Sequence, residues 1–308
     1  MERKYMMIGL GNPVFDIIET PYVRTDGRVL SGCSVNAALT IGKLGGSAIV
    51  VGAVGVDYKS LFLSKLSEYG VDAYPLDSKE TGGFYLKYLD ERMDDRILRV
   101  IGHADRISVD DVPTRLLGNA DSILVGPILD EIDTSLVRYL SRSFSGILVV
   151  DPQGFVRRRN GDIIERVANP QIREIISLSD VFKPNEHEAH VIFGSVDPVR
   201  VAYRITKLGA KIGIVTLAER GSVISFGGKT YRIPAYTTRM RDPTGCGDVY
   251  AGGFIYHYLK TEDPVESAAF ASAVASFMVE SVGPDFMLDG EAVMERFGWI
   301  MKRVRRVD

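Results

Sequence analysis

Six short apolar runs recur along this chain, and none of them alternates. Met6–Leu10, Ala48–Val54, Ser122–Val125, Gly146–Val150, Val181–Lys183 and Ile212–Leu217 are apolar and mostly β-branched throughout. A strand with one wet face shows a period of two; a strand covered on both faces does not. Between the runs lie segments with a helical apolar period, Val35–Leu44, Leu61–Tyr69, Ser135–Ser143 and Val199–Leu208. Each ends near glycine or a polar cluster, as helices do. Buried strands alternating with helices predict an α/β chain, with a mostly parallel sheet and helices on both faces.

Two segments break this rhythm. Val14–Leu30 and Gly83–Ile107 are half-polar and alternating. Within the second, Phe84–Leu89 and Arg96–Val100 flank a charged turn, Glu91–Asp95, and predict a hairpin. Such an insertion forms either a lid or an edge extension of the main sheet. Tyr85, Tyr88 and Arg99 lie on it, with facing that the pattern does not settle. Ile224–Ile233 predicts another hairpin around Gly227-Gly228. Helices follow over about 247–259, 264–282 and 291–303. With no internal repeat and no low-complexity linker, the expected organisation is one domain over 1–308, with lid segments at about 14–30 and 83–107.

Composition narrows the function. The formal net charge is −3 over 308 residues, which gives no bulk attraction to nucleic acid or an anionic membrane. No apolar stretch approaches the length of a spanning helix. The N-terminus lacks the apolar core and cleavage site of a signal peptide. Two distant cysteines, Cys33 and Cys246, do not make a disulfide framework, so a cytoplasmic setting is expected. The basic tail Lys302–Arg306 reads as a solvated helix end, with a docking patch as the alternative.

The stretch that carries chemistry is Asp242-Pro243-Thr244-Gly245-Cys246-Gly247-Asp248, directly before a helix. The first amides of a helix lack intrahelical partners and sit at its positive dipole end. Small side chains leave those amides open to an anion, phosphate above all. Gly245 and Gly247 permit a sharp turn and close backbone approach. Asp248, in the first helical turn, is either a helix-start acid or a base beside a phosphate cradle. A cap alone explains neither the paired glycines nor Gly252-Gly253 one turn later.

This loop resembles the C-terminal signature of the ribokinase/PfkB carbohydrate kinase family, Asp-Thr-x-Gly-Ala-Gly-Asp. Pro243 and Cys246 depart from it. The resemblance implies a ribokinase-like three-layer sandwich with a mostly parallel central sheet and a small β lid. It implies Asp248 as catalytic base and the amides of Gly245, Cys246 and Gly247 as anion hole. It further implies ATP and Mg²⁺, and in some relatives a monovalent cation (K⁺) near Asp242 and Thr244. Four upstream stretches match the family in order. Ser31–Ala38 with Leu44-Gly45-Gly46 resembles its first signature, which implies that Gly32 and Asn36 touch the acceptor. Gly11–Asp16 resembles its Gly-x-x-x-x-Asp, which implies acceptor contacts at Asp16 and Asn12; Val14 stands where ribose-specific members carry Asn. Asn185-Glu186-His187-Glu188 resembles Asn-x-x-Glu, which implies Asn185 near the phosphates and Glu188 at the metal. By composition that stretch is equally a capping box. Thr216–Gly221 resembles Thr-Leu-Gly-x-x-Gly, which implies nucleotide contacts at Thr216 and Gly221; Ala218 replaces a glycine.

Other motifs fail on spacing. Gly9-Leu10-Gly11 lacks the third glycine of a dinucleotide fingerprint, because position 14 is Val14. Gly228-Lys229-Thr230 lacks the first glycine of a P-loop. His187 and His190 are one residue too close for a zinc-protease helix. After the strand ending at Val150, Gln153 and Arg157 are candidates to bind acceptor or phosphate, although Arg157-Arg158-Arg159 also reads as a solvated turn. The expected function is phosphorylation of a hydroxyl on a sugar, nucleoside or cyclic polyol, and an exposed lid edge would allow a homodimer paired through the lid. The alternative is a non-catalytic sugar- or nucleotide-binding protein on the same fold.

Overall fold

The computed structural model describes residues 5–91, 93 and 96–308. Arg92, Asp94 and Asp95 of the predicted charged turn lie outside the described residues. The chain runs β1 (Met6–Leu10), β2 (Val14–Glu19), β3 (Val29–Ser31), α1 (Cys33–Lys43), β4 (Ser47–Gly55), α2 (Val56–Glu68), β5 (Asp72–Ser78), β6 (Gly83–Tyr88) and β7 (Arg96–Gly102). It continues through α3 (Thr114–Leu117), β8 (Ser122–Val125), α4 (Thr134–Ser143), β9 (Ile147–Val150), β10 (Arg157–Asn160), β11 (Ile163–Arg166), α5 (Ile172–Leu178), β12 (Val181–Phe182), α6 (Glu186–Phe193) and α7 (Pro198–Lys207). Then come β13 (Ile212–Thr216), β14 (Ser222–Phe226), β15 (Lys229–Ile233), α8 (Cys246–Thr261), α9 (Pro264–Met278), α10 (Gly290–Met301) and β16 (Arg305–Arg306).

Among the described residues the large sheet has the order β16-β15-β14-β13-β12-β9-β8-β1-β4-β5. From β13 to β5 every neighbour pair is parallel; β14, β15 and β16 extend it antiparallel. The missing alternation in the strands has a direct cause. Met7 packs into a cluster with α1, α8 and α9, whereas Ile8 and Leu10 pack into a second cluster with α4, α5 and α7. Both faces of the sheet are therefore dry, which gives three layers.

A second sheet stands apart, in the order β10-β11-β7-β6-β2-β3. The predicted hairpin pairs as β6 with β7, and its register puts Phe84, Leu86 and Tyr88 inward while Tyr85 and Lys87 face outward. The inserted segments thus form their own sheet, not an edge extension of the large one. Residues 157–166 add β10 and β11 to it, a third contribution; the alternative of a solvated turn at Arg157–Arg159 does not hold, since these residues pair with β11.

Two other expectations change. The basic tail is not a helix end: α10 stops at Met301, and Arg305–Arg306 pair with β15. Asp308 accepts the Thr230 amide (2.9 Å) and pairs with Arg306. The tail covers backbone groups on β15 that would otherwise face water. β5 escaped notice because Pro75 and two aspartates obscure it; it is an edge strand, where proline is tolerated. No described helix is long and apolar enough to cross a membrane.

Candidate active site

The parallel strands end at a cleft beneath the second sheet, the place where open α/β sheets bind ligands. α8 begins there. Its N-cap is Gly245, at φ +82°, a backbone conformation that favours glycine. A Cβ at Gly245 would stand 2.7 Å from Asn36 Nδ2. That amide is already committed: Asn36 Nδ2 donates to Asp248 Oδ2 at 3.0 Å. The glycine therefore permits both the turn and the contact that orients Asp248. α1 starts the same way, with Gly32 at φ +120° as its N-cap and the Asn36 amide bonded to the Gly32 carbonyl. Close packing of α8 on α1, at Gly252 against the Ala37 backbone, brings the two helix starts together.

Asp248 is half-buried. Burial, then the charge of Asp151, raises its proton affinity; Asn36 and Lys183 oppose that. Cys33 Sγ and the carboxylates of Asp151 and Asp248 lie within 4.8 Å of one another. The Cys33 thiol stays protonated, pushed up by burial and by these two acids. Lys183 supplies the compensating charge. Its ammonium is 2.7 Å from Asp151 Oδ2, and the side chains are only 3% and 5% exposed. The same Nζ lies 3.6 Å from where a Cβ on Gly247 would be, so it sits beside the helix-start amides.

Toward the second sheet, a cleft of about 350 Å³ is lined by Asp16, Ser31, Gly32, Arg96, Gln153, Arg157, Thr244, Gly245 and Asp248, with apolar walls from Val14, Phe84, Leu86, Leu98 and Ile128. Asp16 is 3% exposed; its Oδ1 accepts the Phe84 amide at 2.8 Å. Burial lifts it to about 7. Tyr88 Oη lies 3.0 Å from Thr244 Oγ1 and accepts from Arg96, which ties the second sheet to the glycine loop. Asp242 is fully buried. Its Oδ1 accepts the Thr244 amide at 2.9 Å, while Oδ2 has no hydrogen-bond partner among the described residues.

Not every predicted residue faces this cleft. Asn12 is spent on backbone: its Nδ2 donates to the Asp105 carbonyl and its Oδ1 accepts the Ala53 amide, both at 2.8 Å. It borders a neighbouring cavity instead. Asn185 and Glu188 do form the capping box of α6, with reciprocal bonds of 2.9 Å. Glu188 is nevertheless 4% exposed and lifted to about 7 by burial and by Asp151. His187 and His190 are exposed on α6, as expected. Thr216 ends β13 beside Asn185. Gly221, at φ +82°, has a packing reason, since a Cβ would be 2.0 Å from the Ile233 carbonyl. Ala218 holds φ +50°, which explains why glycine suits that place. Arg157 reaches the cleft, while Arg158 and Arg159 are exposed.

Arg96, Asp151 and Lys183 were missed. Asp151 and Lys183 each follow a buried strand at its C-terminal end, and that position was the available signal. Arg96 opens β7 among residues that alternate, so only the register of the hairpin reveals its facing.

The pattern of the pfkB family carbohydrate kinases matches residues 16–289. An ATP-dependent 6-phosphofructokinase of Thermoanaerobacterium thermosaccharolyticum is 24% identical over 295 residues, 92% of this chain and 90% of that protein. A nucleoside kinase of Methanothermobacter thermautotrophicus is 26% identical over 307 residues, 93% of this chain and 94% of that one. Among solved structures, a sulfate complex of a pyrophosphate-dependent kinase in the ribokinase family superposes with a TM-score of 0.80 at 23% identity, covering 94% of this chain and 99% of that one. The fold is thus ribokinase-like. With the family pattern spanning most of its length and the glycine loop, helix starts and strand ends converging on one cleft, the chain belongs to the pfkB family of carbohydrate kinases and is a sugar or nucleoside kinase.

Proposed function

We propose that the protein moves the γ-phosphoryl group of ATP onto a hydroxyl of a sugar, nucleoside or cyclic polyol held in the cleft, with Asp248 as the base. The observation that carries this reading is the placement of the Asp248 carboxylate. It is oriented by Asn36, stands at the start of α8 and lines the cleft. The acceptor hydroxyl gives its proton to Asp248 as its oxygen bonds to phosphorus. The bond to the bridging oxygen of ADP breaks, and the proton then leaves Asp248 for solvent. Raised proton affinity makes Asp248 a stronger base than an exposed carboxylate. The Gly245 and Gly247 amides stabilise charge on the transferring group; the expected third donor, the Cys246 amide, instead donates to the Pro243 carbonyl at 3.3 Å. Asp16, Gly32 and Asn36 hold the acceptor, with Gln153 at its far side; Thr216, Gly221 and Asn185 line the donor path. The second sheet, tied down by Tyr88 and Thr244, excludes water.

The residues fit Mg²⁺: Glu188 is a buried carboxylate whose proton affinity is raised chiefly by desolvation and then by the charge of Asp151. Glu188 would hold Mg²⁺, which would neutralise nucleotide phosphates. The unpartnered Asp242 Oδ2 suits a monovalent cation such as K⁺. The test is acceptor-dependent ADP release across sugars, nucleosides and polyols. Asp248→Asn lowers kcat by about 10²–10⁴-fold while ATP still binds. Near-normal turnover in that variant refutes the assignment, and ATP binding without turnover on any acceptor favours a binding protein.

A further inference from the structure

Two guanidinium groups reach the acceptor end of the cleft from different segments of the second sheet: Arg96 opens β7 and Arg157 opens β10. Arg157 donates to the Ile128 carbonyl at 2.9 Å and to Gln153 Oε1 at 2.8 Å. Both partners are neutral, and among the described residues no carboxylate forms an ion pair with Arg157. Nearby carboxylates are engaged elsewhere: Asp16 with the Phe84 amide, Asp248 with Asn36, and Glu188 with Asn185. Arg96 donates to Tyr88 Oη and lies over its ring. Desolvation and the like charge of Arg96 pull Arg157 down to about 10. Arg157 is desolvated and its direct partners are neutral, so holding its charge beside the cleft is unfavourable unless something else gains from it. The planar guanidinium fork fits carboxylate and phosphate oxygens in pairs.

We propose that the acceptor carries an anionic group, a carboxylate or a phosphate, that docks against Arg157 and Arg96 while its hydroxyl faces Asp248. This rests on the kinase reading above and narrows it: sugar acids and sugar phosphates are preferred over neutral sugars, nucleosides and polyols.

Binding is measured calorimetrically without ATP, so the outcome does not depend on turnover. The probes are gluconate, 6-phosphogluconate and fructose 6-phosphate, against glucose, fructose, myo-inositol and adenosine. The expected result is that at least one anionic probe binds about 10- to 100-fold more tightly than its neutral counterpart, the range of a charge-assisted contact. Comparing gluconate with the phosphates identifies which anion is read. Arg157→Gln removes most of that preference, and Arg157→Lys, which keeps charge without the fork, removes part of it. Thermal melting confirms that both variants fold. Equal binding of neutral probes, no binding of any anionic probe, or unchanged affinity in Arg157→Gln overturns the proposal. So does a fall in kcat on every acceptor with acceptor affinity intact, which would assign Arg157 to the donor phosphoryl group. Anion-selective binding without ADP release would instead sink the kinase reading and leave this inference standing.

Discussion

Asp16 offers a prediction in which function and stability pull against each other. Its carboxyl is 3% exposed and is lifted from an ordinary 3.8 to about 7, chiefly by desolvation. A raised carboxylate favours the folded state only while it is protonated. Below about pH 4 both states are protonated and nothing is lost. Between pH 4 and 7 the unfolded chain ionises while the folded one resists, so stability falls as pH rises. Above pH 7 both are ionised and the full cost is present. At about 1.36 kcal/mol per unit, the shift corresponds to roughly 4 kcal/mol. Asp16→Asn keeps an oxygen for the Phe84 amide, now 2.8 Å from Oδ1, and removes the charge. The variant is therefore expected to be more stable than wild type, by roughly 2 kcal/mol at pH 5 and roughly 4 kcal/mol at pH 8. It should also bind the acceptor more weakly, because a hydroxyl-accepting charge is gone. Urea unfolding of both proteins at pH 5, 6, 7 and 8 gives the difference directly, and comparing the pair cancels other titrating groups such as Glu188. A difference that does not change with pH, or a variant less stable at pH 8, would refute the argument.

Two further variants test the scaffold. Gly252→Ala puts a Cβ 2.5 Å from the Ala37 carbonyl oxygen, where backbone cannot give way cheaply; a loss of about 1–3 kcal/mol is expected, and an unchanged melting temperature would mean that α8 and α1 separate freely. Lys183→Met leaves Asp151 buried and unpaired, at a cost of about 3–5 kcal/mol. Adding Asp151→Asn should restore much of it in denaturant unfolding, and a single-variant cost under about 1 kcal/mol would show the pair to be dispensable.

How much of this was legible depends on the range of the interaction involved. Helix starts are local: glycine with φ near +82° before exposed amides follows from a few consecutive residues, so Gly245, Gly247 and Asp248 stand out in the chain. Strands dry on both faces are equally local, because each of Met7, Ile8 and Leu10 must be apolar whichever face it meets. These two features determine an α/β chain with a glycine-bracketed helix start. Contacts between residues tens of positions apart are another matter. Nothing near Lys183 in sequence announces Asp151 or the Gly247 amide, and nothing near Arg157 announces Arg96; Arg157–Arg159 are equally readable as a solvated turn until β11 and β7 offer register partners. Asn12 looked like a ligand residue and became a brace, because its amide found the Asp105 carbonyl and the Ala53 amide first. The sequence alone determined that a glycine-bracketed helix start stands at α8 with Asp248 in its first turn. Which charges surround it, and hence which acceptor it suits, was decided only by tertiary packing, since desolvation and pairing belong to groups that the chain keeps far apart until it folds.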